Sequence, residues 1–409
     1  LYQLAKLHNM NLEELKNKPT EQLSKDEAEL LINHYEELSA KFTAYEQAVK
    51  VTLNSIYGAF GNKWFHFFNI DMAESITLQG QDAILYSENV LNKYFQDFFF
   101  KDTAVHERFN IKVKHKLERP SVIYIDTDSC YVQFEEMYNS IEWLGDPLSI
   151  DTFIIELYDF RLKDYIIKAM EKYAEKRNTD NFLVFELETV AYNGIWMSKK
   201  KYIQNIAWDD KLEVTDRHPS LKKVKTIGFD TIQSSTPSFV RNKLVDALKI
   251  IFRKHQKPSA EDLKELVEFM KQTKKEFKLA DLDDIAFNKR TNNIEKYIVD
   301  DQIELQFGLK CPPNVKAAGF YNYLLNNNKK YKNKYKLIGN GEKLKIYHVN
   351  GNLSDTFAYM PGEHPYEFAP PVDYDTQFEK SMIDPLNRVL KAIGLQTLDT
   401  NLIYASSLF

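Results

Sequence analysis

Cysteine is scarce: Cys130 and Cys311 are the two in 409 residues. That is too few for a disulfide framework, and neither stands in the spacing of a metal site, which points to a reducing, intracellular setting. Long apolar runs are missing too. None approaches the roughly 18 residues needed to span a bilayer, and the opening LYQLAKLHNM has neither the charged start nor the cleavage site of a secretory signal. There is no internal repeat, and NNNKKYKNKYK is the one biased stretch, read as an exposed loop. Excess basic charge is also lacking. The net charge is -5 and the pI about 6.1, a balance that argues mildly against a nucleic-acid binder. The first residue is Leu1, so the sequence is expected to be part of something longer.

What the sequence has is core-forming material. At 44% hydrophobic and 28% charged residues it should fold into two to three domains. Its charge is segregated along the chain: residues 329–345 carry seven lysines and one glutamate, whereas residues 135–190 carry thirteen acids against six bases. An acidic protein can therefore still present a basic groove, although solvated surface explains any single run equally well.

Helical patterns run from Asn11 to about Tyr57, broken at Pro19 and Thr20, and the second enters the Gly- and Asn-rich stop from Asn54 to Asn62. A further helix is expected from Ala73 to Tyr94. Residues 121–134 (SVIYIDTDSCYVQF) read as two strands joined tightly, and Phe182–Glu188 and Ile195–Trp208 as further strands, with a helix from about Asp151 to Tyr173 between. After Pro237 the pattern is mostly helical, clearest at Phe239–Lys254, Ser259–Phe277 and Gln377–Ile393. The fold class is thus α+β with an antiparallel sheet.

Three segments carry candidate chemistry. Asp126-Thr127-Asp128-Ser129 places two hard anions at a hairpin tip. This is either a Mg²⁺ site completed by phosphate oxygens and water, an ordinary Asp-rich turn, or the Asp-x-Asp site of nucleotide-sugar glycosyltransferases. Lys50 and Asn54, four apart on a helix, share a face that Tyr57 nearly continues, so a cation, an amide and a ring could hold a triphosphate and pack on a base or sugar. A solvated lysine and a core tyrosine are the plain alternative. In Ser198-Lys199-Lys200-Lys201-Tyr202, three lysines in one strand project to both faces, and burying one without an anion is unfavourable. A phosphate backbone suits them, as does a lysine-guarded edge strand. Glu186 and Glu188 alternate with apolar residues in FELETV and would face one side together.

In this order, KVTLNSIYGAFGN, YIDTDS and SKKKY resemble motif B, motif C and the Lys-Lys-Arg-Tyr segment of family B DNA polymerases, the T-even phage type in particular. GFDTIQSSTP resembles that type's palm-to-thumb junction, and KCPPNVKAAGFYNY and FEKSMIDPLNRVLKAIG its thumb, so the resemblance covers about residues 50–409. It implies part of the fingers at 1–62 as a helical hairpin, an antiparallel palm sheet with flanking helices at 63–232, and a mostly helical thumb with a carboxy-terminal tail at 233–409. It further implies DNA-templated synthesis on primer-template DNA from dNTPs with two Mg²⁺ ions, Mn²⁺ substituting. By the same resemblance Asp128 and Asp126 would bind metal, with Glu188 near the metals; Lys50 and Asn54 would contact the triphosphate and Tyr57 the nascent pair. Thr127 would lie by the primer terminus. Lys199, Lys200, Lys201 and Tyr202 would meet the primer strand, Lys201 replacing the usual Arg and losing its bidentate fork. Gly58 and Gly61 would let the backbone approach the template.

One departure matters. The Asp-x-x-Ser-Leu-Tyr-Pro pattern of motif A, with its further metal aspartate, is nowhere in the sequence, and the exonuclease acids are missing as well. The expectation is activity only with an amino-terminal half, the chain being either a fragment or one product of a split gene, with the cytoplasm of a bacterial host as its place if it is phage-encoded. Ser407, Leu408 and Phe409 form an apolar tail of the kind that docks on a sliding clamp in the T-even type. A noncatalytic DNA-binding subunit stays open as an alternative. A glycosyltransferase should show a βαβ pattern before its aspartates, where this chain reads as helical.

Overall fold

A computed structural model describes residues 15–210, 223–253, 257–299, 304–305, 311–351, 354–398 and 403. The tail Ser407-Leu408-Phe409 and the residues before Leu15 lie outside the described residues. The chain divides into two compact units, residues 1–93 with 120–132, and residues 94–119 with 133–409.

In the first unit, α1 spans Lys25–Phe60 and α2 spans Ile70–Lys93. Ser24 starts α1 through a capping box: its side chain accepts from the Glu27 amide while Glu27 returns to the Ser24 amide at 2.8 Å. Lys18 grips the same carboxylate at 2.8 Å, and this ion pair, ahead of the Ser24 amide, holds the Glu27 carboxyl below its usual range. The helix ends at Gly61, so the expected stop falls at its far edge and Gly58 sits inside the last turn. Strands β1 (Val122–Asp126) and β2 (Ser129–Val132) pair antiparallel as a hairpin, as their β-branched and aromatic content predicts. Apolar side chains on the helices and the turn between them remain uncovered, Phe42 at 61%, Leu53 at 62% and Trp64 at 85% exposure among them.

The second unit begins its main body with α3 (Ile150–Leu157) and α4 (Lys163–Glu175), joined through one π turn, Tyr158–Leu162. Strands β3 (Thr189–Ser198), β4 (Lys201–Asp209) and β5 (Val224–Ile227) follow as an antiparallel sheet in that order. Then come α5 (Ser238–Ile251) and α6 (Ala260–Leu279), the latter opened by a Ser259–Asp262 capping box. Ile203, Phe229, Leu244, Leu248, Met270 and Phe277 are buried in one core. A second core surrounds α7 (Pro313–Asn327), which packs on a sheet ordered β8-β7-β6, with β6 at Phe287–Arg290, β7 at Lys343–His348 and β8 at Thr356–Tyr359. Helices α8 (Tyr374–Phe378) and α9 (Asp384–Ala392), again linked by a π turn, are followed by residues 393–398 and Ile403.

The α+β class with small antiparallel sheets is as expected, and three local readings need correction. Ile195–Trp208 is not one strand but the two arms of a hairpin turning at Lys199 and Lys200, because Lys200 adopts φ +57° and lets Ser198 pair with Lys201. Phe182–Glu188 is not a strand: the ladder with β4 begins at Thr189, and beyond it one bond, from the Asp210 amide to the Glu188 carbonyl, continues the pairing. The region after Pro237 is less helical than it reads, since lysines at 343 and 345 mask the alternation of Leu344 and Ile346 that makes β7. NNNKKYKNKYK is largely exposed, as expected, with Tyr335 buried and the chain tied down around it. The Tyr321 hydroxyl donates to the Lys336 carbonyl at 3.1 Å, the Tyr335 hydroxyl to Glu367 at 2.6 Å, and Asn322 brackets Ile338 from both sides at 2.8 and 2.9 Å.

Candidate active site

Asp126 closes β1, Ser129 opens β2, and Thr127 and Asp128 form the two-residue turn between them. Thr127 has φ +54°, a left-handed conformation that a β-branched side chain rarely takes. The turn is held by its own polar groups: the Asp128 amide donates to the Asp126 carbonyl at 2.6 Å, the Thr127 hydroxyl to the Asp126 carboxylate at 3.1 Å, and the Ser129 hydroxyl to Asp128 at 3.2 Å. Asp128 is exposed and Asp126 half-buried. One step behind the tip, burial and then the charge of Glu88 push the Cys130 thiol up to about 12, which keeps it protonated beside the carboxylates.

Helix α1 carries Lys50, Asn54 and Tyr57, and Lys50 and Asn54 line one open depression of about 890 Å³ that Phe42, Glu46 and Val49 also border. Tyr57 lies just beyond, its hydroxyl 2.9 Å from that of Thr77 on α2. The same α2 reaches the hairpin, where Asn92 accepts a hydrogen bond from the Val122 amide at 2.9 Å. Thus α2 is the frame on which both the carboxylate turn and the lysine-bearing helix hang. No sequence signal marks Thr77 or Asn92, whose roles are set by partners distant in the chain. Apart from its own helix, no described residue comes within 4 Å of where a Cβ would stand on Gly58.

Lys199–Tyr202 and Glu186 and Glu188 belong to the other unit. Lys199 and Lys200 occupy the exposed tip of the β3–β4 hairpin, so the three lysines do not share one strand and Lys201 alone of them lies in the sheet. Lys201 is partly covered. Its ammonium lies 4.0 Å from Asp230, which a shorter 2.7 Å contact binds to Arg388 of α9. Tyr202 is 6% exposed, its ring stacked on Trp196 at 6.2 Å. Glu186 and Glu188 are both exposed and alternate with half-buried neighbours, so the expected common side survives without a strand.

As a metal site the aspartate turn fits in kind and falls short in number. Carboxylate and hydroxyl oxygens suit a hard divalent cation, which also takes phosphate and water, yet among the described residues no group of three or more His, Cys, Asp or Glu could hold one.

Residues 30–144 match the family described as DNA polymerase family B. They are a family B DNA polymerase domain. The homology extends over much of the chain. It is 29% identical over 293 residues to the DNA-directed DNA polymerase of Escherichia phage RB69, covering 68% of this chain and 29% of that protein. With the DNA-directed DNA polymerase of Enterobacteria phage T4 it shares 25% identity over 378 residues, 85% of this chain and 37% of that one. The chain therefore spans about a third of the length of these curated relatives. The family B match contains α1 from Leu30 onward, α2 and the aspartate hairpin, the elements that bring the candidate residues of the first unit onto one frame.

Proposed function

We propose that this chain forms part of a family B DNA polymerase that extends a primer 3′-hydroxyl from dNTPs, with fingers, palm and thumb roles for residues 1–62, 63–232 and 233–409. The observation that carries this reading is the strained Asp126-Thr127-Asp128 turn, tied through α2 to the helix bearing Lys50, Asn54 and Tyr57, all inside the matched domain. The chemistry forms a P–O bond from the primer oxygen to the α-phosphorus and breaks the bond to pyrophosphate, the hydroxyl proton leaving to solvent. Asp128 and Asp126 would hold Mg²⁺, which when bound neutralises charge on the phosphate oxygens. Lys50 and Asn54 bind and orient the triphosphate by charge and hydrogen bond, and Tyr57, pinned to Thr77, presents its ring to the nascent pair. Lys199, Lys200 and Lys201 meet primer phosphates. Glu188 and Gly61 keep the supporting roles that the resemblance gives them, as does the tail as a clamp contact.

Two carboxylates are fewer than such a site needs, and motif A is absent from the sequence. We therefore assign the missing donor to an upstream polypeptide of the same family. The test is primer extension with Mg²⁺ and four dNTPs, using this chain alone, then mixed with a polypeptide carrying motif A. Synthesis only in the mixture, lost by several orders of magnitude with Asp128→Ala, is the expected result. Synthesis that survives Asp128→Ala would remove the aspartate turn from the chemistry. DNA binding without synthesis in any mixture would favour a noncatalytic subunit, the reading that the short donor set supports.

A further inference from the structure

The turn that carries Lys199 and Lys200 is braced from behind. Gly228, directly after β5, has φ +62°, and a Cβ there would lie 2.0 Å from the Lys200 carbonyl oxygen. The following turn is locked by Gln233, which donates to the Gly228 carbonyl at 2.9 Å, and by the Thr226 and Thr231 hydroxyls at 2.6 Å. Phe229 is fully buried, which fixes where the next residue, Asp230, emerges. That carboxylate faces two cations, Lys201 at 4.0 Å and the Arg388 guanidinium at 2.7 Å. The lysine ammonium also lies 5.8 Å from the Phe229 ring centre. Lys201 is thus held at the outer limit of an ion pair, while Arg388 takes the short contact.

We propose that Arg388 is a positioning residue for Lys201: by engaging Asp230 it keeps that carboxylate from closing on the lysine, whose charge stays available to a nucleic-acid phosphate. This rests on the reading that Lys201 meets primer-strand phosphate. Asp230 and the phosphate compete for one ammonium, and Arg388 sets the balance between them. An ammonium paired at 4.0 Å and about a quarter exposed is more easily recruited than one locked at hydrogen-bond distance.

The test is primer-template affinity of the full 409-residue chain by fluorescence anisotropy across a salt series, with thermal melting of each variant alongside. Asp230→Asn should tighten binding about two- to fivefold and Arg388→Gln weaken it by a similar factor, the scale of one exposed ion pair. Net charge alone gives the same signs, so both are repeated in a Lys201→Met background. There both effects should shrink to within the error of the assay. Effects equal in the two backgrounds would overturn the proposal in favour of overall charge, and weaker binding by both variants with lowered melting would overturn it in favour of plain bracing. If Lys201→Met itself leaves affinity and its salt slope unchanged, the phosphate contact fails first, and the positioning role with it.

Discussion

Thr127 at φ +54° and Gly58 inside α1 are opposite exceptions to local preference: one is a β-branched residue where glycine is favoured, the other a glycine where alanine is. A left-handed threonine is unfavourable by roughly 1–3 kcal/mol, and such conformations gather where a side chain must be aimed. Gly58 lowers helix stability by about 1 kcal/mol relative to alanine, and no described residue beyond its own helix crowds its missing Cβ. If its bare face is kept for template backbone, Gly58→Ala should raise unfolding stability by about 0.5–1 kcal/mol and lower primer extension by the assembled enzyme. Denaturant melts beside extension rates check this, and a stabilised variant with full activity would show that the face meets nothing. At this scale the sequence is legible where turn chemistry is local: Asp126 and Asp128 declare themselves because two charged residues between apolar strands belong at a tip. Lys199–Lys201 mislead because three lysines do not announce a turn; the signal was Gly228, some thirty residues on, whose meaning depends on the Lys200 carbonyl beside it.

The helices and strands show how single residues acquire fixed positions. The π turn Tyr158–Leu162 between α3 and α4 places Arg161 against Asp102, with Nε 2.6 Å from a carboxylate that is 3% exposed. Tyr94 donates to the same carboxylate at 3.1 Å, and burial, followed by the charge of Asp102, pushes its hydroxyl well above the ordinary phenol range. Arg161→Met keeps the stem and removes the charge, leaving Asp102 buried with the tyrosine and an amide as partners. Since the arginine is itself half in solvent, the loss should be about 2–3 kcal/mol, under the figure for a fully buried pair. Chemical denaturation of the variant measures it, and a loss under about 0.5 kcal/mol would mean that Asp102 is satisfied without the arginine. Periodicity foretells the helix over these residues, but not the π turn, because the extra residue that rotates Arg161 inward changes no hydrophobic spacing enough to be seen. The sheet of β6, β7 and β8 is hidden for a related reason: its inward residues alternate with lysines and an arginine that read as surface.

The whole chain combines two kinds of interior. Residues 94–119 with 133–409 close around cores in which Phe277, Phe357, Phe378, Tyr321, Tyr347 and Tyr359 are almost fully buried. In the unit of residues 1–93 with 120–132, Phe42, Tyr45, Leu53, Trp64, Phe67 and Ile70 all stay more than half exposed. Aromatic side chains bury roughly 150–250 Å² each, so four of them approach the roughly 800 Å² per partner of a specific interface. The chain covers about a third of the length of its relatives, and among the described residues no three or more His, Cys, Asp or Glu gather as a metal site. Under the proposed function one partner would answer both shortfalls, the upstream polypeptide that carries motif A. Binding it should bury Trp64, which a chain with Trp143, Trp196 and Trp208 changed to phenylalanine would report as a blue shift and as protection from acrylamide. The shift should rise with added partner along the same curve as primer extension. Extension that appears while Trp64 stays quenchable would separate the two shortfalls and leave the apolar face to another partner; protection that grows with this chain's own concentration would assign it to a second copy. A shared curve would mean that the exposed apolar side chains and the completed active site belong to one interface.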